Sequence, residues 1–150
     1  MIAVVQRVSE ASVRVEGEII GQINQGFMVL LGIALDDTEE DVAWIVKKIC
    51  GLRIFSDEND KLNLDIAQVS GNILLISQFT LQASTKKGNR PSFIEAAKPD
   101  LAIPLYQKTI SSMCETIGKK IEKGTFGADM KVSLINDGPL TIVLDSKCKR

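Results

Sequence analysis

The chain contains no histidine. That removes the commonest general base and the commonest metal ligand, and with them every Ser-His or Cys-His catalytic arrangement. Cysteine is scarce too: Cys50, Cys114 and Cys148 are odd in number, far apart and show no metal-ligand spacing. Cys50 and Cys114 fall in helix-like segments and read as small apolar packing residues, Cys148 as incidental in a charged tail. No apolar run approaches the roughly 20 residues that cross a bilayer, and Met-Ile-Ala-Val-Val-Gln-Arg-Val at the N-terminus lacks the basic region of a secretory signal. A cytosolic protein without a membrane partner is expected. A surplus of positive charge is also missing. The net charge is −1 and the sequence pI ≈ 5.5, which excludes binding nucleic acid through bulk charge and leaves no expectation of a DNA partner. Local contact with a nucleic-acid end stays open. Chemistry here has to run on hydroxyls, carboxylates, lysines, backbone dipoles or the substrate itself.

What is present suffices for one domain over residues 1–150, with a short charged tail from about 145: 150 residues and 45% hydrophobic content bury a core without disulfides or metals. Ile2–Val8, Gly26–Ala34 and Ile73–Ile76 read as strands, the last two as continuous apolar runs buried on both faces. Ser12–Val15 and Ile19–Ile23 flank Glu16-Gly17-Glu18 as a hairpin. Asp36–Asp41 supplies capping and acidic first-turn residues for a helix whose apolar stripe is Val42, Ile45, Val46 and Ile49. Trp44 lies off that stripe. Leu52–Phe55 reads as a short strand, and Ser56–Lys61 as a solvated turn without EF-hand spacing. A second helix carries Tyr106, Ile110, Met113 and Ile117, with Pro99 and Pro104 near its start, where proline is tolerated in the first turn. Lys131–Ile135 and Leu140–Leu144 read as two strands joined by an Asn136–Pro139 turn. Strands at both ends with two helices between them predict an α+β fold: mostly antiparallel, barrel-like sheet with both helices packed on one side.

Two constellations carry chemistry. Ser77-Gln78-Phe79-Thr80 ends the most apolar strand and opens into Gln82–Pro91, a basic, turn-forming loop. Its hydroxyls either serve a site or satisfy backbone groups at a strand end. The second is Asn136-Asp137-Gly138-Pro139-Leu140-Thr141, which taken alone is a plain turn.

Together these blocks resemble the D-aminoacyl-tRNA deacylases. Asn72–Leu81, around Ser77-Gln78-Phe79-Thr80-Leu81, resembles the first signature of that family, and Asn136–Thr141 its Gly-cisPro motif. Val5-Gln6-Arg7-Val8, Arg53-Ile54-Phe55 and Lys86-Lys87-Gly88-Asn89-Arg90-Pro91-Ser92-Phe93 extend the likeness, in order, from Met1 to about Leu144. Leu140 departs conservatively from the more usual valine. The resemblance implies a cytoplasmic homodimeric hydrolase that cleaves the ester between a D-amino acid, or mischarged glycine, and the terminal adenosine of tRNA. It implies that Gly138 and Pro139 of one subunit enter the pocket of the other, with Arg7 supporting their turn. A cis bond there would direct both carbonyls at the substrate α-ammonium and set a backbone wall against L side chains. The backbone N–H groups of Phe79 and Thr80 would form an oxyanion hole, and Ser77 and Gln78 would hold the adenosine. The Thr80 hydroxyl is either a nucleophile or a group that positions water; the second role is favoured, since the motif offers it no strong base. Lys86, Lys87 and Arg90 are candidate contacts to tRNA phosphates, with Lys119, Lys120 and Lys123 a weaker set. No metal or organic cofactor is expected. Two competing functions remain in view, a non-catalytic dimeric module binding aminoacyl or nucleotide ligands and a hydrolase of free D-amino-acid esters or small peptides that involves no RNA.

Overall fold

The structure, a computed structural model, describes residues 1–149. Its elements run β1 (Ile2–Val15), β2 (Glu18–Ile23), β3 (Gly26–Gly32), α1 (Glu39–Gly51), β4 (Phe55–Ser56), β5 (Leu62–Leu64), β6 (Asn72–Ser77), a 3-10 turn (Phe79–Gln82), α2 (Pro99–Ile117), β7 (Glu122–Lys123) and β8 (Lys131–Asp145). The sheet grows from β1, whose first half pairs antiparallel with β3 and whose second half pairs antiparallel with β2. The other edge of β1 is lined along almost its whole length by antiparallel β8. Beyond β3 the pairing turns parallel: β6 lies on β3 and β7 on β6. Parallel neighbours need a crossover, and α1 and α2 lie on the two connections. Two crossovers that step the same way along a sheet, with the same hand, leave their helices on one face. Hence the α+β, two-helices-on-one-side architecture is as expected, while the sheet itself is mixed. It curls towards closure at the far end, where Gly21 of β2 sits so close to the Lys123 carbonyl of β7 that a Cβ would come within 2.8 Å.

The apolar strands serve two cores. In β6, Ile73 and Leu75 face the helices and Leu74 and Ile76 face the barrel interior, all four buried. This is the period of two applied to a continuous apolar run. On the helix side, Val42, Ile45, Val46 and Ile49 of α1 and Ala102, Leu105, Tyr106 and Met113 of α2 complete the packing. Thr38 caps α1, with a reciprocal bond from its backbone to Asp41. Pro99 occupies the first position of α2, but Pro104 lies in the helix interior, beyond the first turn that the sequence reading allowed it.

The largest departure from the sequence reading is β8. Lys131–Ile135 and Leu140–Leu144 are one strand, not two joined by a turn. Gln6 pairs with Thr141 and Val8 with Asn136, so Asp137–Leu140 bulge out of a ladder that continues on either side. The tail is anchored as well. The buried Ser146 hydroxyl donates to Asp41 and accepts from the buried Met1 ammonium, which pairs with Asp37 at 2.6 Å. Lys147 reaches Asp41 at 3.0 Å and Lys149 lies over the half-buried Trp44 ring. Of the expected tail, Arg150 lies outside the described residues. Burial alone would raise the Asp41 pKa, but hydrogen bonds from Ser146, the Thr38 backbone and Lys147, with the Lys147 charge, hold it well below the usual carboxylate range. No helix among the described residues is long and apolar enough to cross a membrane.

Candidate active site

The last residue of β6, Ser77, is half-buried, and the chain then turns at once into the 3-10 helix Phe79–Gln82. Gln78 N–H donates to the Leu31 carbonyl at 2.8 Å, and Gln82 Nε2 donates to the Gly32 carbonyl at 3.0 Å, so the turn is pinned at both ends to β3. The fit depends on Gly32: a Cβ there would lie 2.8 Å from Leu81 Cβ and 2.9 Å from the Gln78 carbonyl oxygen. Tyr106 ties α2 to the same strand by donating from its buried hydroxyl to the Leu75 carbonyl at 2.9 Å. Desolvation raises the pKa of that phenol and keeps it a donor.

The turn borders a cleft of ≈ 300 Å³. Ser77, Gln78 and Phe79 form one side; Leu31, Ile33, Ile76 and Ala102 the floor; and Phe126–Met130 with Val132 the other side. A largely apolar slot with a few polar groups at its edges suits a flat heterocycle carrying a polar substituent. Ser77 Oγ has no hydrogen-bond partner among the described residues, and neither has the backbone N–H of Phe79 or Thr80 at the start of the turn. Gln78 Nε2 donates to Thr80 Oγ1 in a short contact. The Thr80 side chain is exposed, and among the described residues its hydroxyl has no hydrogen bond to a carboxylate or amine that would deprotonate it. What the arrangement offers is unpaired donors beside an apolar slot: a place to hold an acyl oxygen as it gains charge.

Gly138 and Pro139 are not in this cleft. They sit in the β8 bulge, with a cis peptide between them and Gly138 at φ +131, a region that suits glycine. The bulge is braced by two side chains, Arg7 and Asn136. Arg7 Nε donates to the Asp137 carbonyl at 3.1 Å and Arg7 Nη1 to the Ile54 carbonyl at 2.7 Å. Asn136 Oδ1 accepts from Leu140 N–H at 3.0 Å, and Asn136 Nδ2 donates to Thr141 Oγ1 at 2.9 Å. The side chain of Arg7 is 14% exposed, so it acts as an internal strut as well as an ion-pair partner of Asp137 at 3.8 Å. Between bulge and cleft lie β1 and β3, three strand spacings or roughly 14 Å in all. One chain does not bring the two halves of the expected site together.

Lys86, Lys87 and Arg90 are exposed on a loop closed at its base by a pair of backbone bonds between Ser84 and Ser92, at 2.8 and 2.9 Å, at the same end of β6 as Ser77. Lys119 donates instead to the Ser70 carbonyl at 3.0 Å, and Lys120 meets Asn72 at the opposite end of β6. The structure thus sets Lys119 and Lys120 at the far end of that strand from the cleft, whereas Lys123 of the same weaker set pairs with Leu75, two residues from Ser77. The far wall, Phe126–Met130, was missed by the sequence reading. Its only signal is an isolated aromatic inside Gly-rich turn sequence, Gly124-Thr125-Phe126-Gly127.

A family described as D-Tyr-tRNA(Tyr) deacylase matches residues 4–145. A protein of Flavobacterium psychrophilum named D-aminoacyl-tRNA deacylase is 54% identical over 149 residues, covering 99% of each chain. Its namesake in Flavobacterium johnsoniae is 57% identical over 147 residues, covering 98% of each. Among solved structures, one described as c-Myc DNA Unwinding Element Binding Protein superposes with TM-score 0.92 at 44% identity over 97% of this chain and 98% of its own. Another, described as a probable eukaryotic D-amino acid tRNA deacylase, gives TM-score 0.82 at 16% identity over 95% and 97%, a likeness of fold alone.

Proposed function

The chain belongs to the D-Tyr-tRNA(Tyr) deacylase family, and from that premise we propose that it hydrolyses the ester linking a D-amino acid to the terminal adenosine of tRNA. The observation that carries the reading is the cleft beside Ser77–Thr80, apolar within and edged by unpaired donors. Adenine lies against the apolar walls, with Ser77 and Gln78 at its ribose. The ester carbonyl meets the N–H groups of Phe79 and Thr80, which stabilise the oxyanion as water adds. An aminoacyl ester is already activated, so this stabilisation and correct placement suffice without a histidine. The 2′-hydroxyl of the substrate's ribose assists the attack, and Thr80 Oγ1 positions water.

Stereoselectivity comes from a second copy of the chain. In the homodimer, the partner subunit's Gly138 and Pro139 close the cleft, their carbonyls accept from the substrate α-ammonium, and an L side chain collides with that backbone. A D side chain points to solvent, ungripped, so its identity matters little; glycine has none and passes. Support comes from the bulge itself, which is exposed, braced by Arg7 and Asn136, and remote from its own cleft. A reciprocal exchange of such loops fits a two-fold interface. The reaction belongs in the cytoplasm, with tRNA.

Purified protein incubated with D-aminoacyl-tRNA and with the ethyl ester of the same D-amino acid tests the reading. Release from tRNA far faster than from the small ester supports it. Equal rates favour a hydrolase of free esters, and no turnover of either favours a binding module.

A further inference from the structure

Phe79 lines the cleft and is still 57% exposed. Its neighbour in space is Phe93, 37% exposed, with ring centroids 5.2 Å apart and planes at 72°. Phe93 follows Ser92 directly, and Ser92 closes the base of the loop that bears Lys86, Lys87 and Arg90. The order in space is therefore cleft, Phe79, Phe93, cationic loop. Exposed aromatic faces that pass into positive charge are what a protein presents to a single-stranded nucleic acid, because every base has a π-face and every step a phosphate. Continuity with the cleft and the charge of the loop single out an RNA end over a second protein chain.

We propose that Phe93, buttressed by Phe79, is the stacking platform for the unpaired base next to the terminal adenosine, and that the loop cations take the phosphates leading to it. The proposal rests on the reading of the cleft as an adenosine site. It assigns Phe93 a role in seating the substrate and gives the enzyme a physical reason to prefer an aminoacylated RNA end over an aminoacyl nucleoside.

The test compares kcat/KM on a D-aminoacyl-CCA trinucleotide with that on the D-aminoacyl-adenosine. The parent protein should favour the trinucleotide. Phe93→Leu should cut that preference roughly tenfold, the scale of one base–aromatic stack, and Phe93→Tyr should keep it. A CCA trinucleotide carrying 2-aminopurine at its penultimate position reads stacking without turnover: its fluorescence should be quenched by the parent and by Phe93→Tyr, not by Phe93→Leu. An unchanged preference, an equal loss on both esters, quenching unaffected by Phe93→Leu, or dissociation of the dimer accompanying the loss would each overturn the platform. Hydrolysis of neither ester by the parent would instead refute the deacylase reading, and quenching would then still decide the platform.

Discussion

A methyl group at Gly32 would be driven into the joint between β3 and the turn that presents Phe79 and Thr80. The Gly32→Ala Cβ would fall 2.8 Å from Leu81 Cβ and 2.9 Å from the Gln78 carbonyl oxygen, about 0.5 Å inside the 3.4 Å at which ordinary contact begins. Neither atom is the free end of a flexible side chain. Relief therefore requires the turn to move off β3, against the bonds from Gln78 N–H and Gln82 Nε2 that pin it there. Overpacking of this kind costs about 2 kcal/mol, which for a chain of this length is a fall in Tm of about 4–8 °C. The functional effect should be larger than that suggests. A misplacement of ~1 Å can cost ~100-fold in rate, so a shift of ~0.5 Å in the donors proposed to meet the oxyanion should cost about tenfold in kcat. Differential scanning calorimetry and single-turnover deacylation at a temperature well below both transitions separate the two effects. A variant with the parent's Tm and the parent's kcat would refute the claim that the close approach at Gly32 sets the donors in place.

Three further outcomes follow from the same geometry. Tyr106→Phe removes the bond to the Leu75 carbonyl, which also accepts from Gly124 N–H at 3.1 Å, so urea unfolding should show a loss of about 1 kcal/mol and no more. Asp41 ionises below its unfolded value of 3.8, so its contribution to stability is complete above that pH and is lost as the pH falls through the lower, folded value; urea midpoints of Asp41→Asn should lack that part of the parent's acid dependence. Thr80→Ala should retain most of its activity in single-turnover assays, because none of the described residues offers the hydroxyl a hydrogen-bonded base; a loss as complete as that from blocking the cleft would make Thr80 the nucleophile.

Local pattern revealed the parts of the molecule where one segment carries its own information. The run Ile73–Ile76 reads as a strand buried on both faces and Asp36–Asp41 as the opening of a helix, and the structure has both. The Asn136–Pro139 stretch misled because its residue types are those of a chain-reversing turn, while the outcome was decided elsewhere: β1 is long enough to pair with both flanks, and Arg7 and Asn136 close the gap between them. Nor does a sequence announce that Ala102, from α2, and Phe126–Met130 meet Ser77 across a cleft, since all lie far along the chain and their one reactive type, Asp129, is exposed and paired with Lys131. The tail reads as a short charged segment for a similar reason; Ser146 gains its role from the Met1 ammonium and Asp41. Family likeness supplied the pairing of Ser77–Thr80 with Gly138-Pro139, which neither periodicity nor a single folded chain contains.

The most direct test of chiral proofreading is the rate at which purified protein releases D-, L- and glycyl residues from the same tRNA. Rapid release of the D-amino acid and glycine, with the L-amino acid left attached, is the predicted result. Equal release of D and L would contradict the account, because a backbone wall supplied by the partner subunit cannot treat the two alike.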